Sequence, residues 1–204
     1  MKLISKAFYG LMLFAVLASA SQTSSDERKN LAEKAYKDRI AYSKSKDYEP
    51  YSTDAKDAVQ RSWELIEKKS FKAAIEAADN GLKHSHFSID LLMAKSAAYH
   101  ELGDAAKAQE FQAAWIGVAD SILSRGDGKS FETAFTVISV DEEYSVLRLL
   151  KLVLVQQALV EHDGKSFDRL DLKKGDSDQT LTLFFNVDLP FGWERRQFEG
   201  IPKK

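Results

Sequence analysis

Cysteine is absent from the 204 residues, which excludes disulfides, thiol nucleophiles and a lipid-accepting cysteine behind an export signal. An excess of positive charge is also missing: 29 Lys and Arg stand against 31 Asp and Glu, for a net charge of −2. Phosphate recognition wants a basic patch, so neither nucleic acid nor an anionic membrane surface is expected as a partner. No G-x-S-x-G elbow occurs, which removes the commonest serine-nucleophile arrangement. Proline is scarce, three residues in all, so two of them carry positional meaning: Pro50 forces its predecessor out of the helical basin, and Pro190 marks the end of the last strand. The only long apolar run, Ala7 to Leu17, is shorter than the roughly 20 residues that span a bilayer.

That run is the h-region of an expected signal peptide. Lys2 and Lys6 precede it and Ala18-Ser19-Ala20 follows, the order of a charged n-region, an apolar stretch and an A-x-A cleavage site. Residues 1–20 are therefore expected to be removed, leaving a periplasmic or secreted protein with no stable membrane insertion. Four regions are expected: the signal at 1–20, a helical region at 21–125, a small mixed α/β region at 126–193 and a charged tail at 194–204.

In the helical region, Ser24-Ser25-Asp26-Glu27 has the form of a capping box and starts a first helix. Ala55, Ala58, Val59, Trp63 and Ile66 then fall on one helical face. Ala74, Ile75, Ala78 and Leu82 do the same behind Ser70, and Leu92, Tyr99 and Leu102 follow Ser88. A further helix runs from Ala105 to about Leu123 with Ala108, Phe111, Trp115, Val118 and Ile122 in register. Trp63, Tyr99 and Trp115 lie on these apolar stripes and read as core. The segments Phe71–Ala78 and Ala106–Phe111 answer each other, and Ala74 and Ala108 stand 34 positions apart. With Tyr99 and Leu102-Gly103-Asp104, the region resembles a tetratricopeptide repeat. It departs from that pattern at Lys69, where a glycine is usual, at Gly81, where an alanine is usual, and in lacking a closing proline. A plain pair of helical hairpins explains much of the same spacing.

At Ser121–Tyr144 the period changes. Gly126-Asp127-Gly128 reads as a tight turn, Ala134 to Val140 alternates as a short strand, and Ser139-Val140-Asp141-Glu142 is a second capping box. A short amphipathic helix follows, with Tyr144, Leu147 and Leu150 on one face. From Leu150 the pattern is period two, turning at Asp163-Gly164, the strongest short hairpin signal. It returns through Ser166–Leu172 and, after a second turn, through Leu181, Leu183, Phe185, Val187 and Leu189. The expected fold class is α+β, with tetratricopeptide-like helical hairpins packed on a C-terminal antiparallel β-meander carrying one short helix.

The blocks S-I-L-S-R-G-D-G-K-S-F and V-I-S-V-D-E-E-Y, with Tyr48-Glu49-Pro50-Tyr51 before them and Gln157-Ala158-Leu159-Val160 and His162 to Asp168 after, resemble an uncharacterised exported bacterial family, domain of unknown function 4919. The resemblance spans nearly all of the mature chain. It implies an exported bacterial protein and no particular activity.

The residues themselves offer little chemistry. G-D-G-K-S lacks the first glycine of a phosphate loop, since Leu123 stands there, and it follows a helix where that loop follows a strand. Asp127 lacks the companion oxygens of a calcium loop. Glu142 and Glu143 are adjacent and so point about a hundred degrees apart on a helix; helix-dipole electrostatics suffice to explain them. His84, His86 and His100 sit in a helix-ending turn and a helix, short of the converging ligands that a metal needs. Neither metal nor cofactor is expected. Two functions are weighed: a noncatalytic module binding a protein or peptide in the cell envelope, and a small-ligand receptor or hydrolase-type enzyme at the junction of helix and sheet. The second would draw on Asp127, Lys129, Glu142, Glu143 and Tyr144, because pockets form where layers meet.

Overall fold

The structure is a computed structural model and describes residues 24–175 and 179–199; the expected signal peptide lies outside them. Among the described residues the order is α1 (Ser25–Tyr42), α2 (Thr53–Glu67), α3 (Phe71–Leu82), α4 (Ile89–Glu101), α5 (Ala105–Leu123), β1 (Phe135–Thr136), α6 (Val140–Leu149), β2 (Leu152–His162), β3 (Lys165–Lys174), β4 (Thr180–Asn186) and α7 (Asp188–Glu199). This is an α+β fold, helices first and a four-stranded sheet in the C-terminal half. No described helix is long and apolar enough to cross a membrane.

Packing divides the described chain into two compact units that are interleaved in sequence. One holds the residues up to Lys37 and Ser52–Asp120; the other holds Asp38–Tyr51 and the residues from Ser121 onward.

In the first unit serine side chains cap three helix starts, at Ser24 and Ser88 as the sequence signals and at Ser52 as well. Ser24 Oγ accepts from Glu27 N at 3.2 Å, Ser52 Oγ from Ala55 N at 3.3 Å and Ser88 Oγ from Leu91 N at 3.4 Å, each satisfying an amide that has no partner inside the helix. Ser70 holds the N-cap position of α3 without a side-chain bond. Helices α2, α3 and α4 pack closely because small residues face one another. Gly81 is the tightest point: a Cβ there would lie 2.5 Å from Ala58 Cβ and 2.7 Å from Leu91 Cδ1. Ala74 and Ala108, the 34-residue pair, are both buried, as are Trp63 and Trp115; Tyr99 is half-buried and stacks on Phe111 at 5.5 Å. Lys69, standing where a repeat has glycine, takes the left-handed conformation with φ 57°, and Ser70 N closes the end of α2 onto Leu65 O at 2.8 Å. Arg28 clamps Asp120 with Nε at 2.9 Å and Nη2 at 2.8 Å, tying α1 to α5.

In the second unit the sheet order is β1-β4-β3-β2. Strands β2, β3 and β4 form the expected antiparallel meander, and Asp163 and Gly164 both take positive φ in the two-residue turn between β2 and β3. The sheet as a whole is mixed, since β1 joins β4 in parallel through Phe135↔Phe185 and Thr136↔Asn186. Ser166, Asp168, Leu170 and Leu172 of β3 alternate onto one face and are buried there, with Leu183 and Phe185 of β4 opposite Leu170 and Asp168. A register shift between Leu154 and Gln156 marks a bulge in β2. Past Asn186 the chain turns straight into α7, where Pro190 falls in the first turn; the ring there removes an N–H that would have had no helical partner. Over the described residues, the stretch expected as a charged tail continues this helix to Glu199.

Candidate functional site

The sequence brings two glutamates to the start of α6, and the fold gives them opposite fates. Glu142 is 4% exposed and meets Arg39, itself 0% exposed, through Nε at 2.9 Å and Nη2 at 2.5 Å. It also accepts from Ile138 N at 2.8 Å. The capping box expected at Ser139 is thereby replaced: the serine makes no side-chain cap bond, and the glutamate reaches one residue further back. Arg39 in turn donates to Ser121 Oγ at 3.1 Å and to Thr136 O at 3.3 Å, and Tyr48 donates to Ile138 O at 2.5 Å. These bonds hold Asp38–Tyr51 against the entry to α6 and satisfy a buried ion pair whose desolvation would otherwise be uncompensated.

Glu143 is 0% exposed, and neither carboxyl oxygen has a hydrogen-bond donor among the described residues. Its neighbour is Asp168 of β3. Burial first, and then the charge of Asp168 and a bond between the two carboxyls, push Glu143 up to about 9. Two ionised carboxylates facing each other would leave Glu143 without a partner. One proton resolves this: Glu143 carries it at neutral pH and donates it to Asp168. Burial raises Asp168 as well, against the bond from Gln157 Nε2 to Oδ2 at 2.6 Å. Tyr144 donates to Gln157 Oε1 at 2.8 Å, so α6, β2 and β3 are joined in a chain of Tyr144, Gln157, Asp168 and Glu143. Tyr51 belongs to the same surroundings: burial, then the charges of Glu194, Asp168 and Glu143, raise its hydroxyl to about 12. Its ring lies 6.1 Å from that of Trp193.

Asp127 and Lys129 form a separate group. Asp127 Oδ1 accepts from Thr133 Oγ1 at 2.7 Å and from Lys129 N at 3.1 Å, and Lys129 Nζ lies 3.2 Å from Oδ2. These bonds, the threonine's foremost, hold the Asp127 carboxyl down to about 2. The turn is anchored by backbone: Gly128 N donates to Thr133 O at 2.8 Å and Phe184 N donates to Gly128 O at 2.7 Å. Side chains are excluded, since a Cβ on Gly126 would sit 2.1 Å from Thr133 O. Of the five residues picked from sequence, Glu143 and Tyr144 therefore share a site, Glu142 adjoins it as an ion-pair anchor, and Asp127 with Lys129 shape a turn.

Asp168, Gln157 and Arg39 were not singled out from the sequence. Asp168 did leave a signal: it shares the parity of Leu170 and Leu172, so an acid occupies a position the strand turns inward. Among the described residues no three His, Asp or Glu side chains are grouped to hold a metal ion. Comparison with curated proteins and with solved structures returns no match. A family model described as a domain of unknown function (DUF4919) matches residues 24–194, and the protein belongs to that family.

Proposed function

We propose that the protein is an exported, noncatalytic module of the bacterial cell envelope that binds another protein or a peptide. The observation that carries this reading is the free edge of the sheet. Strand β2 is outermost and eleven residues long, and it leaves Val153, Val155 and Leu159 about half exposed, at 50%, 57% and 51%. An unpaired edge with apolar side chains accepts an extended segment, whose backbone completes the ladder while its side chains meet the apolar positions. The edge suits this role better than α4, which is buried at every residue from Ile89 to Ala98 and so has no open face over that stretch. The test is a photo-crosslinking amino acid placed in living cells at Val155, at Leu159 and, as control, at exposed Lys72 of α3. A discrete adduct from the two β2 positions alone supports the module; adducts equal to the control, or none, refute it.

The second reading, a small-ligand receptor or hydrolase-type enzyme, is favoured by one observation, the proton-sharing pair of Glu143 and Asp168. Acid catalysis uses a carboxyl held protonated at neutral pH beside an ionised one. A folded Glu143→Gln protein that retains its β2 adducts but loses a bound small molecule would move the assignment to this reading.

A further inference from the structure

We infer that Glu143 and Asp168 form a binding site for a cationic group, a primary ammonium or a guanidinium. The inference goes beyond the interaction reading and does not depend on it.

The buried carboxylate beside Glu143 in sequence is well supplied with donors. Glu142, the preceding residue, receives Arg39 Nε, Arg39 Nη2 and Ile138 N. Glu143 receives none at either oxygen, although a buried carboxylate without donors carries a large desolvation cost. Asp168 is 5% exposed, and besides the proton it shares with Glu143 it receives Gln157 Nε2. Arg39, the cation that meets the preceding glutamate, is committed to Glu142 and does not serve the pair.

Gln157 of β2 has an exposed side chain that is held at Oε1 by Tyr144. Its Nε2 stands on Asp168 where a ligand N–H would stand, so an incoming cation replaces an amide N–H with a charged one, a stronger bond in the same place. Tyr51 and Trp193 lie 6.1 Å apart at 53°, and Tyr51 is near enough to feel Asp168 and Glu143. A tyrosine ring near carboxylates suits the recognition of ammonium and guanidinium groups.

Binding is an exchange. The empty pair holds one proton; the cation takes over the charge balance, Glu143 ionises, and the proton leaves to solvent. The groups facing Glu143 are Asp168 from β3, Tyr144, Glu142 and Asp141 from its own helix, and Tyr51 from the segment before α2; the acids among them oppose ionisation until the cation arrives.

The test is calorimetric titration of the full mature chain with n-butylamine, with argininamide and with the peptide acetyl-Ala-Thr-Arg-Thr-Ala-amide, in buffers of different ionisation heat. Affinity is expected to rise about tenfold per pH unit between pH 6 and 8, with about one proton released per cation bound. Glu143→Gln should abolish the proton release and weaken binding at least about tenfold, Gln157→Ala should leave binding equal or tighter, and Glu64→Gln on α2 should change nothing. Binding of the free amines assigns the site to a small cationic ligand, and binding of the peptide alone assigns it to a basic side chain of a partner. No saturable binding of any probe up to about 10 mM at pH 8, or binding that Glu143→Gln leaves unchanged, overturns the inference.

Discussion

Replacing Glu143 with glutamine should flatten the pH dependence of folding stability. Its carboxyl rises from 4.5 to about 9 on folding, so the folded state binds the proton more tightly than the unfolded one. The stability this contributes is complete below about pH 4.5 and is lost as pH climbs toward 9. Between these limits the loss is about 1.4 kcal/mol per pH unit, which makes roughly 3 kcal/mol by pH 7. The side chain is 0% exposed, so solvent screening does not discount the figure. Asp168, also raised, acts with the same sign. Glutamine keeps the shape, carries no charge and can donate to Asp168 as the protonated acid does. Urea unfolding of both proteins at pH 5, 6, 7 and 8 measures the effect. The advantage of the glutamine protein should grow by about 4 kcal/mol across that range. A gap that stays constant with pH, whatever its size, would refute the reasoning.

Gly81→Ala should cost about 1–3 kcal/mol in chemical denaturation, because the new methyl group meets both Ala58 and Leu91 where three helices converge. Lys69→Gly should stabilise the protein by about 1 kcal/mol, since it relieves a left-handed φ of 57° in a side-chain-bearing residue. Unchanged melting would count against this. Arg39→Met should destabilise by about 3–5 kcal/mol by leaving Glu142 buried without its cation, and adding Glu142→Met should recover much of the loss. Thermal unfolding of the single and double variants checks both steps, and additive losses would show that the pair is not coupled.

What could be read from the sequence was local. Serine before an apolar stripe located α1 and α4 because the cap bond spans three residues, and Asp163-Gly164 located a hairpin because two positive φ angles select those residue types. Gly81 appeared as a departure from a repeat pattern and became the point of closest helix approach. The site was half legible. Glu142 and Glu143 were visible as neighbours pointing apart, but which would be paired depended on Arg39, 103 residues away, and on Asp168 in another strand. Nothing in a window of ten residues encodes such partners. The parallel pairing of β1 with β4 was hidden for the same reason, and α7 because Pro190 suits a strand end as well as a first helical turn.

The interleaving of the two units bears on inheritance as well as on packing. Asp38–Tyr51 belongs with the sheet although it is encoded between two helices of the other unit, and Arg39 within it holds the ion pair at the entry to α6. A cut anywhere between α5 and β1 would therefore release an N-terminal fragment carrying a piece it does not use, and a C-terminal fragment with Glu142 buried and unpaired. A gene breakpoint there parts Arg39 from Glu142, so a segment exchanged at that point leaves half of the pair behind.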